Sequence, residues 1–397
     1  MNEKNKLKSL LEILMVSIKL GFTSFGGPIA HLGYFHDEYI RKRRWMDEES
    51  YADLIALCQF LPGPASSQVG IGIGVKRGGV LGGITSFIGF TLPSVVALII
   101  FASLLHTFNL QDAGWIDGLK IVAVVVVAQA VLGMAKKLTP DIQRKTIALI
   151  ALIVTLLWQT AFTQVAVILI GGAIGFILFR KQTALEKGSK VSHFPVSKKL
   201  GTVCLSLFFG LLFVLPVLSN ITKLEWLTLF DSFYRSGSLV FGGGHVVLPL
   251  LEQEFVPAGW LSEQEFLAGY GAAQAVPGPL FTFAAYIGAV IHGWQGGLLG
   301  MIAIFLPAFL LILGTLPFWD ALRSNPKIKG VLIGVNAAVV GILISALYSP
   351  IWISSISTAM DFALGAVLFS MLYYWKLPPW VIVITGAFGG MLISNVG

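Results

Sequence analysis

Charge is scarce in this chain. Asp, Glu, Lys and Arg make up 12% of its 397 residues, while 56% are hydrophobic. Long polar stretches are missing as well, and apolar runs recur along the whole length with short polar gaps between them. The runs 84–105, 118–135, 202–218, 298–317, 330–347 and 381–396 each come close to the length that crosses a hydrocarbon core of roughly 30 Å. A soluble core needs no such series. The runs are continuous rather than alternating, which excludes a membrane β-barrel. The expected class is an all-α polytopic membrane protein.

Cysteine is nearly absent: Cys58 and Cys204 both lie in apolar segments. That excludes a disulfide framework and a thiolate metal site, and it suits two small buried side chains. No His-Glu-x-x-His occurs, no phosphate-cradling Gly-x-x-x-x-Gly-Lys-Ser/Thr and no Gly-x-Ser-x-Gly. An enzyme is therefore not expected, nor a cofactor, nor a metal. Transport driven by ATP on this chain alone is excluded. Gly70, Gly72 and Gly74 have no strand before them, so they read as a small-residue face for helix packing and not as a nucleotide loop. Met1 to Lys8 is polar and basic, and no small-residue cleavage site follows, so no cleaved signal peptide is expected. The net charge of +7 sits mainly in loops, where it sets orientation, and nucleic acid is not an expected partner.

Lys and Arg are also missing from alternate gaps. Residues 1–8 hold three of them, 36–50 hold four (Arg41 to Arg44), and Lys76 and Arg77 follow. Residues 106–117 and 158–163 hold none, while 136–145 and 180–200 are rich. Basic gaps belong in the cytoplasm. The segments 10–35 and 51–75 then have basic residues on the same side at both ends, so each must enter the membrane and return. Each has a helix breaker in its middle, and two re-entrant hairpins fit better than two crossings. Four crossings follow. In the second half the charge pattern is reversed: Glu252 to Glu265 carries four Glu and no Lys or Arg, residues 319–329 carry three basic residues, and 348–361 carry none. The expected topology places the N-terminus in the cytoplasm and the C-terminus outside, with the two halves inverted.

The breakers themselves form a repeat. Gly21, Phe25, Gly26, Gly27 and Pro28, then Trp45, then Gln59, Pro62, Gly63 and Pro64, return as Gly237, Phe241, Gly242, Gly243 and Gly244, then Trp260, then Gln274, Pro277, Gly278 and Pro279. The offset is 216 residues at the Phe-Gly-Gly and 215 from the Trp onward. Breakers inside apolar segments free backbone groups that hydrocarbon does not tolerate unless they face protein or a polar cavity. A half-helix starting at a breaker aims unpaired N–H groups and the positive end of its dipole inward, which suits an anion. An inverted repeat of this kind points to a transporter with its site where the repeats meet. The expected domains are a repeat over 1–180, a basic linker with a connecting helix over 181–218, and an inverted repeat over 219–397.

Candidate substrate-binding residues follow from the pattern. They include the two Phe-Gly-Gly and two Pro-Gly-Pro breaks themselves, Gln59 and Gln274 one turn before a break, and the donors Ser66, Ser67, Gln68 and Thr282 after one. The glutamines either meet an oxyanion or cap freed backbone. Lys19 and Arg235, also 216 apart, each precede their glycine by two residues; a pair of intramembrane cations would match a divalent anion, whereas snorkelling would take both to an interface. His31, His245, Glu38, Glu252 and Glu254 are titratable, follow a Gly-Gly break and are candidates for proton coupling. His193 lies in the linker and reads as solvated.

Phe25 to His31, Trp45 and Gln59 to Pro64, with their echo in the second half, resemble the chromate ion transporter family in its long form with both halves in one chain. The resemblance covers essentially the whole sequence. It implies a protein of the cell inner membrane that exports chromate, using the proton gradient as an antiporter, and so confers chromate resistance. It also implies about thirteen hydrophobic segments in opposed halves, which the two hairpins and four crossings per half plus one linker crossing match. Sulfate mimics chromate and is the expected competitor. The halves depart from each other at Gly244, which replaces Pro28, and at His245, which is offset by two from the position matching His31. The expected reading is a secondary transporter for a tetrahedral divalent oxyanion, with one half rocking against the other. A sulfate transporter and a non-transporting membrane sensor remain as alternatives. The expected partners are the anion, protons and the bilayer, with a homodimer allowed.

Overall fold

The computed structural model describes residues 3–25, 27–107, 115–158, 161–179, 194–240, 247–319 and 326–396, and every regular element among them is helical. The helices are α1 (Glu3–Thr23), α2 (Gly27–Phe35), α3 (Glu48–Phe60), α4 (Ala65–Thr107), α5 (Trp115–Leu138), α6 (Ile142–Leu157), α7 (Ala161–Phe179) and α8 (Lys198–Thr222). They continue as α9 (Glu225–Leu239), α10 (Val247–Phe255), α11 (Glu263–Ala275), α12 (Phe283–Thr315), α13 (Pro326–Ala346), α14 (Ala359–Tyr373) and α15 (Pro379–Val396). Five stretches among the described residues are long and apolar enough to cross a membrane: Ala65–Leu105, Asp117–Lys136, Lys198–Thr222, Leu280–Phe318 and Lys329–Ser349. They overlap the first five of the six apolar runs, and the sixth forms the shorter α15.

Packing divides the chain differently from the sequence. One compact unit takes Met1–Leu110, Ser189–Val247 and Glu254–Trp319, and the other takes Gln111–Gly188, Leu248–Gln253 and Asp320–Gly397. Each unit draws on both repeats.

In the first unit the two repeats build the same motif twice. Asp47 caps α3 by accepting from Ser50 N–H at 2.9 Å. Ser262, its counterpart, caps α11 in a reciprocal box with Glu265. Such caps fix where a helix begins. Both helices end at a Pro-Gly-Pro in which the glycine takes a left-handed φ, 109° at Gly63 and 107° at Gly278, a conformation costly to any residue with a Cβ. The next helices, α4 and α12, each double back. Gly78 and Gly79 break α4, and His292 and Gly293 break α12. The arms then lie so close that a Cβ on Gly74 would collide with the Gly82 carbonyl, and one on Gly288 with that of Gly296. The one-residue change of offset has a visible cause. The first repeat carries a π-helical turn at His36–Lys42, which holds an extra residue, and the second repeat has an ordinary helix end at Phe255. Aromatic contacts join the repeats: Phe87 lies 5.0 Å from Phe305 and 4.9 Å from Phe309, ring to ring.

The second unit contains α5, α6 and α7 with α13, α14 and α15. Its helices meet at small residues. Gly171 and Gly175 of α7 face Gly334 and Gly330 of α13, and Gly118 of α5 faces Gly386 of α15. Close backbone approach is how helices associate where lipid removes the hydrophobic drive between them.

Candidate functional site

The Pro-Gly-Pro of each repeat meets the helix end that precedes the glycine-rich segment of the other. Gly63 N–H donates to the carbonyl of Val240 at 2.7 Å, and Gly278 N–H donates to the carbonyl of Ser24 at 2.9 Å. Val240 and Ser24 end α9 and α1, immediately before the glycine-rich segments. The two bonds are one contact seen twice, related by a pseudo-twofold. Each satisfies a backbone donor and a backbone acceptor freed by a break, and a group of that kind left unpaired in hydrocarbon costs several kcal/mol. The flanking contacts repeat as well, since Gly63 abuts Ala308 of α12 and Gly278 abuts Ser94 of α4.

Around this crossing the first repeat gathers polar side chains. His31 of α2 is hydrogen-bonded through Nδ1 to Ser66 Oγ at 3.2 Å, in the first turn of α4. Its ring packs edge-on against Phe90 at 5.4 Å, and the Ser24 carbonyl lies beside it. Gln68 Nε2 donates to the Pro62 carbonyl at 2.9 Å. Gln68 N–H is also the first in α4 to reach a helix carbonyl, that of Pro64, so the N–H groups of Ala65, Ser66 and Ser67 point out of the helix start. Ser24 Oγ, His31 Nε2, Ser67 Oγ and Thr91 Oγ1 are buried without a hydrogen-bond partner in the protein. A buried polar group left so costs about 1–3 kcal/mol, so a cluster of them calls for a ligand or water.

The charged candidates lie elsewhere in the motif, and they too are duplicated. Lys19 Nζ is 3.0 Å from Glu38 Oε2. Arg235 pairs with Glu254, and also with Asp231 at 3.2 Å. Lys19–Glu38 and Arg235–Glu254 have the same 19-residue spacing. Each cation is thus tied to a carboxylate of its own repeat. Glu38 is 7% exposed at its side chain and also accepts from Arg43 Nε at 3.1 Å, with Lys42 Nζ at 3.4 Å. Burial alone would raise its carboxyl, but Lys19, Arg43 and Lys42 outweigh that and hold it below the ordinary value of 4.5. Ser232 Oγ donates to Glu254 at 2.8 Å.

Gln59 is exposed on α3 whereas Gln274 is buried on α11 with Nε2 unpartnered, so the matching glutamines differ in setting. Thr282 donates to the Pro279 carbonyl at 2.7 Å. Gly27 opens α2 with φ 80°, followed by Pro28. Glu252 is buried on α10. Gly26, His193, Gly242, Gly243, Gly244 and His245 lie outside the described residues. Sequence reasoning missed Ser24, Thr91 and Ser94; the signal available was their polarity inside or beside apolar runs. Cys58 and Cys204 are buried free thiols, as expected.

Helical apolar spans, with a broken-helix motif that occurs twice, make this a multi-pass membrane protein. The profile of the chromate transporter family matches residues 11–176 and 227–391, one copy per half, and the chain belongs to that family. It is 29% identical to a probable chromate transport protein of Synechococcus elongatus, over 97% of this chain and 95% of that one. It is 24% identical to a chromate transport protein of Pseudomonas aeruginosa, over 96% and 92% of the two chains. An uncharacterized transporter of Bacillus subtilis is 31% identical over 42% of this chain and 96% of its own length, so it corresponds to about one repeat. No solved structure matches.

Proposed function

We propose that the protein is a secondary transporter that exports chromate across the cell inner membrane in exchange for protons. The observation that carries this reading is the reciprocal bonding of Gly63 to Val240 and of Gly278 to Ser24, which sets each Pro-Gly-Pro and the helix start after it against the other repeat, with unpartnered hydroxyls such as Ser24 and Ser67 alongside. Helix starts and hydroxyls are oxyanion donors. The relatives named for chromate transport supply the substrate. Loop charges support an N-terminus in the cytoplasm, a C-terminus outside, and two re-entrant hairpins per repeat, one broken at its Gly-Gly and one at its Pro-Gly-Pro. With four crossings per half and one linker crossing this makes about thirteen segments.

Lys19 and Arg235 attract the anion toward the motif and lock its outer edge through Glu38 and Glu254, while the breaks themselves contact it. Of the proton-coupling candidates in the first repeat, His31 is the better carrier, because the cations around Glu38 keep that carboxylate ionised at neutral pH. The sequence halves are interlocked by the crossing bonds, so they do not rock apart as two bodies.

Counterflow in proteoliposomes tests the substrate. Vesicles preloaded with unlabelled chromate should take up labelled chromate faster than empty ones, with sulfate as the weaker competitor. Counterflow with sulfate alone would make the protein a sulfate transporter. Saturable binding with no counterflow would make it a sensor.

A further inference from the structure

The two repeats match in backbone but not in what their buried side chains offer at the crossing. Ser24 corresponds to Val240, and His31 to Val247, at the 216-residue offset. Ser66 and Gln68 correspond to Phe281 and Phe283 after the Pro-Gly-Pro. Along the long arms, registered by the breaks at Gly79 and Gly293, Thr91 corresponds to Phe305 and Ser94 to Ala308. Every one of these residues is buried, on both sides of the comparison. The one hydroxyl position kept by both repeats is Ser67 and Thr282. Thr282 is satisfied by its own Pro279 carbonyl, while Ser67 is not satisfied within the protein.

We infer that the crossing holds one tetrahedral oxyanion per chain, bound by the first repeat's helix start and hydroxyls, with the second repeat serving as an apolar wall. This rests on the oxyanion reading above. The argument has two independent parts. The start of α4 leaves the N–H groups of Ala65, Ser66 and Ser67 without helix carbonyls, which is an anion site in outline. Unpartnered side chains no more than 2% exposed stand there: Ser67 in that turn and His31, bonded to Ser66; Thr91, one residue beyond the Phe90 that packs on His31, is a further buried hydroxyl without a partner. The equivalent positions in the second repeat are Val247, Phe281, Phe283 and Phe305, which donate nothing; a free donor that repeat keeps, Gln274 Nε2, lies on α11 before the break and not in the helix start after it. Apolar side chains there exclude water and strengthen the donors opposite. The backbone motif is symmetric because both breaks need the same bonds, and the chemistry is asymmetric because only one anion is held.

Calorimetric titration of the full-length protein in detergent, with chromate and separately with sulfate, tests this. The expected result is one equivalent of anion per chain, with Ser67→Ala and Thr91→Val each raising Kd at least tenfold at unchanged melting temperature. Two equivalents per chain, or wild-type affinity in both variants, would overturn the single asymmetric site while leaving oxyanion binding intact. Absence of any heat from either anion in the wild type would remove the oxyanion reading and this inference together.

Discussion

Glu38 shows how much one residue organises. Its carboxylate is buried among Lys19, Lys42 and Arg43, and those cations hold its pKa down. A carboxyl whose pKa is lower folded than unfolded adds stability above its unfolded value, and that stability fades as pH falls through the folded value. Glu38→Gln should therefore lower the melting temperature at neutral pH, by an amount worth about 1–2 kcal/mol, since Lys19 and Lys42 are largely exposed and screened. As pH falls below the ordinary carboxyl value of 4.5 the gap between the variant and the wild type should shrink, and thermal melts from neutral pH downward would show it. A gap of constant size would mean that the loss is one of packing. Glu254→Gln should also destabilise, because it replaces one of the two carboxylates paired with Arg235 by a neutral amide, leaving Asp231 as the other. At this scale the sequence was only half legible. The 216-residue offset paired Lys19 with Arg235, and the same offset relates Glu38 to Glu254. The ion pairs themselves need the chain to turn back through α2, which no pattern of residue types specifies. Thr91 was hidden for a different reason: one hydroxyl in an apolar run looks like tolerated helix polarity until its burial without a partner is seen.

Among elements, the breaks were the legible part. Two Pro-Gly-Pro sequences and two Gly-Gly sequences marked where helices stop; the structure ends helices at both Pro-Gly-Pro sequences and at Thr23 before the first Gly-Gly, while the second Gly-Gly lies outside the described residues. The partner of each break was not legible, because a hydrogen bond from Gly63 to Val240 joins residues 177 positions apart in the chain. The doubling back at Gly78 was signalled only by the basic pair Lys76 and Arg77. Gly278 carries the sharpest expectation at this scale. Its φ of 107° resists a side chain, and a Cβ there would come within 2.7 Å of Ser94 Oγ. Gly278→Ala should cost about 1–3 kcal/mol from backbone strain alone and weaken chromate binding as the bond to Ser24 is displaced. Gly33→Ala, which meets open space, is the control. Equal effects from both substitutions, read by thermal unfolding, would remove the special role given to the crossing.

For the whole molecule, the repeats seen in sequence and the units seen in packing are different partitions. Duplication explains the first, and burial of both copies against each other explains the second. A chain split after residue 185 should therefore give two fragments that co-purify from membranes when expressed together. Each alone should be unstable, since each would expose faces that pack on the other repeat in the intact chain. Independent folding of either fragment would show that the crossing bonds are dispensable. The central claim is coupled export, and labelled chromate in proteoliposomes with an acid interior measures it most directly. Protons leaving should draw chromate in, and collapsing the gradient with an ionophore should stop accumulation. Chromate uptake no greater than in protein-free vesicles, or uptake indifferent to the ionophore, would contradict the account.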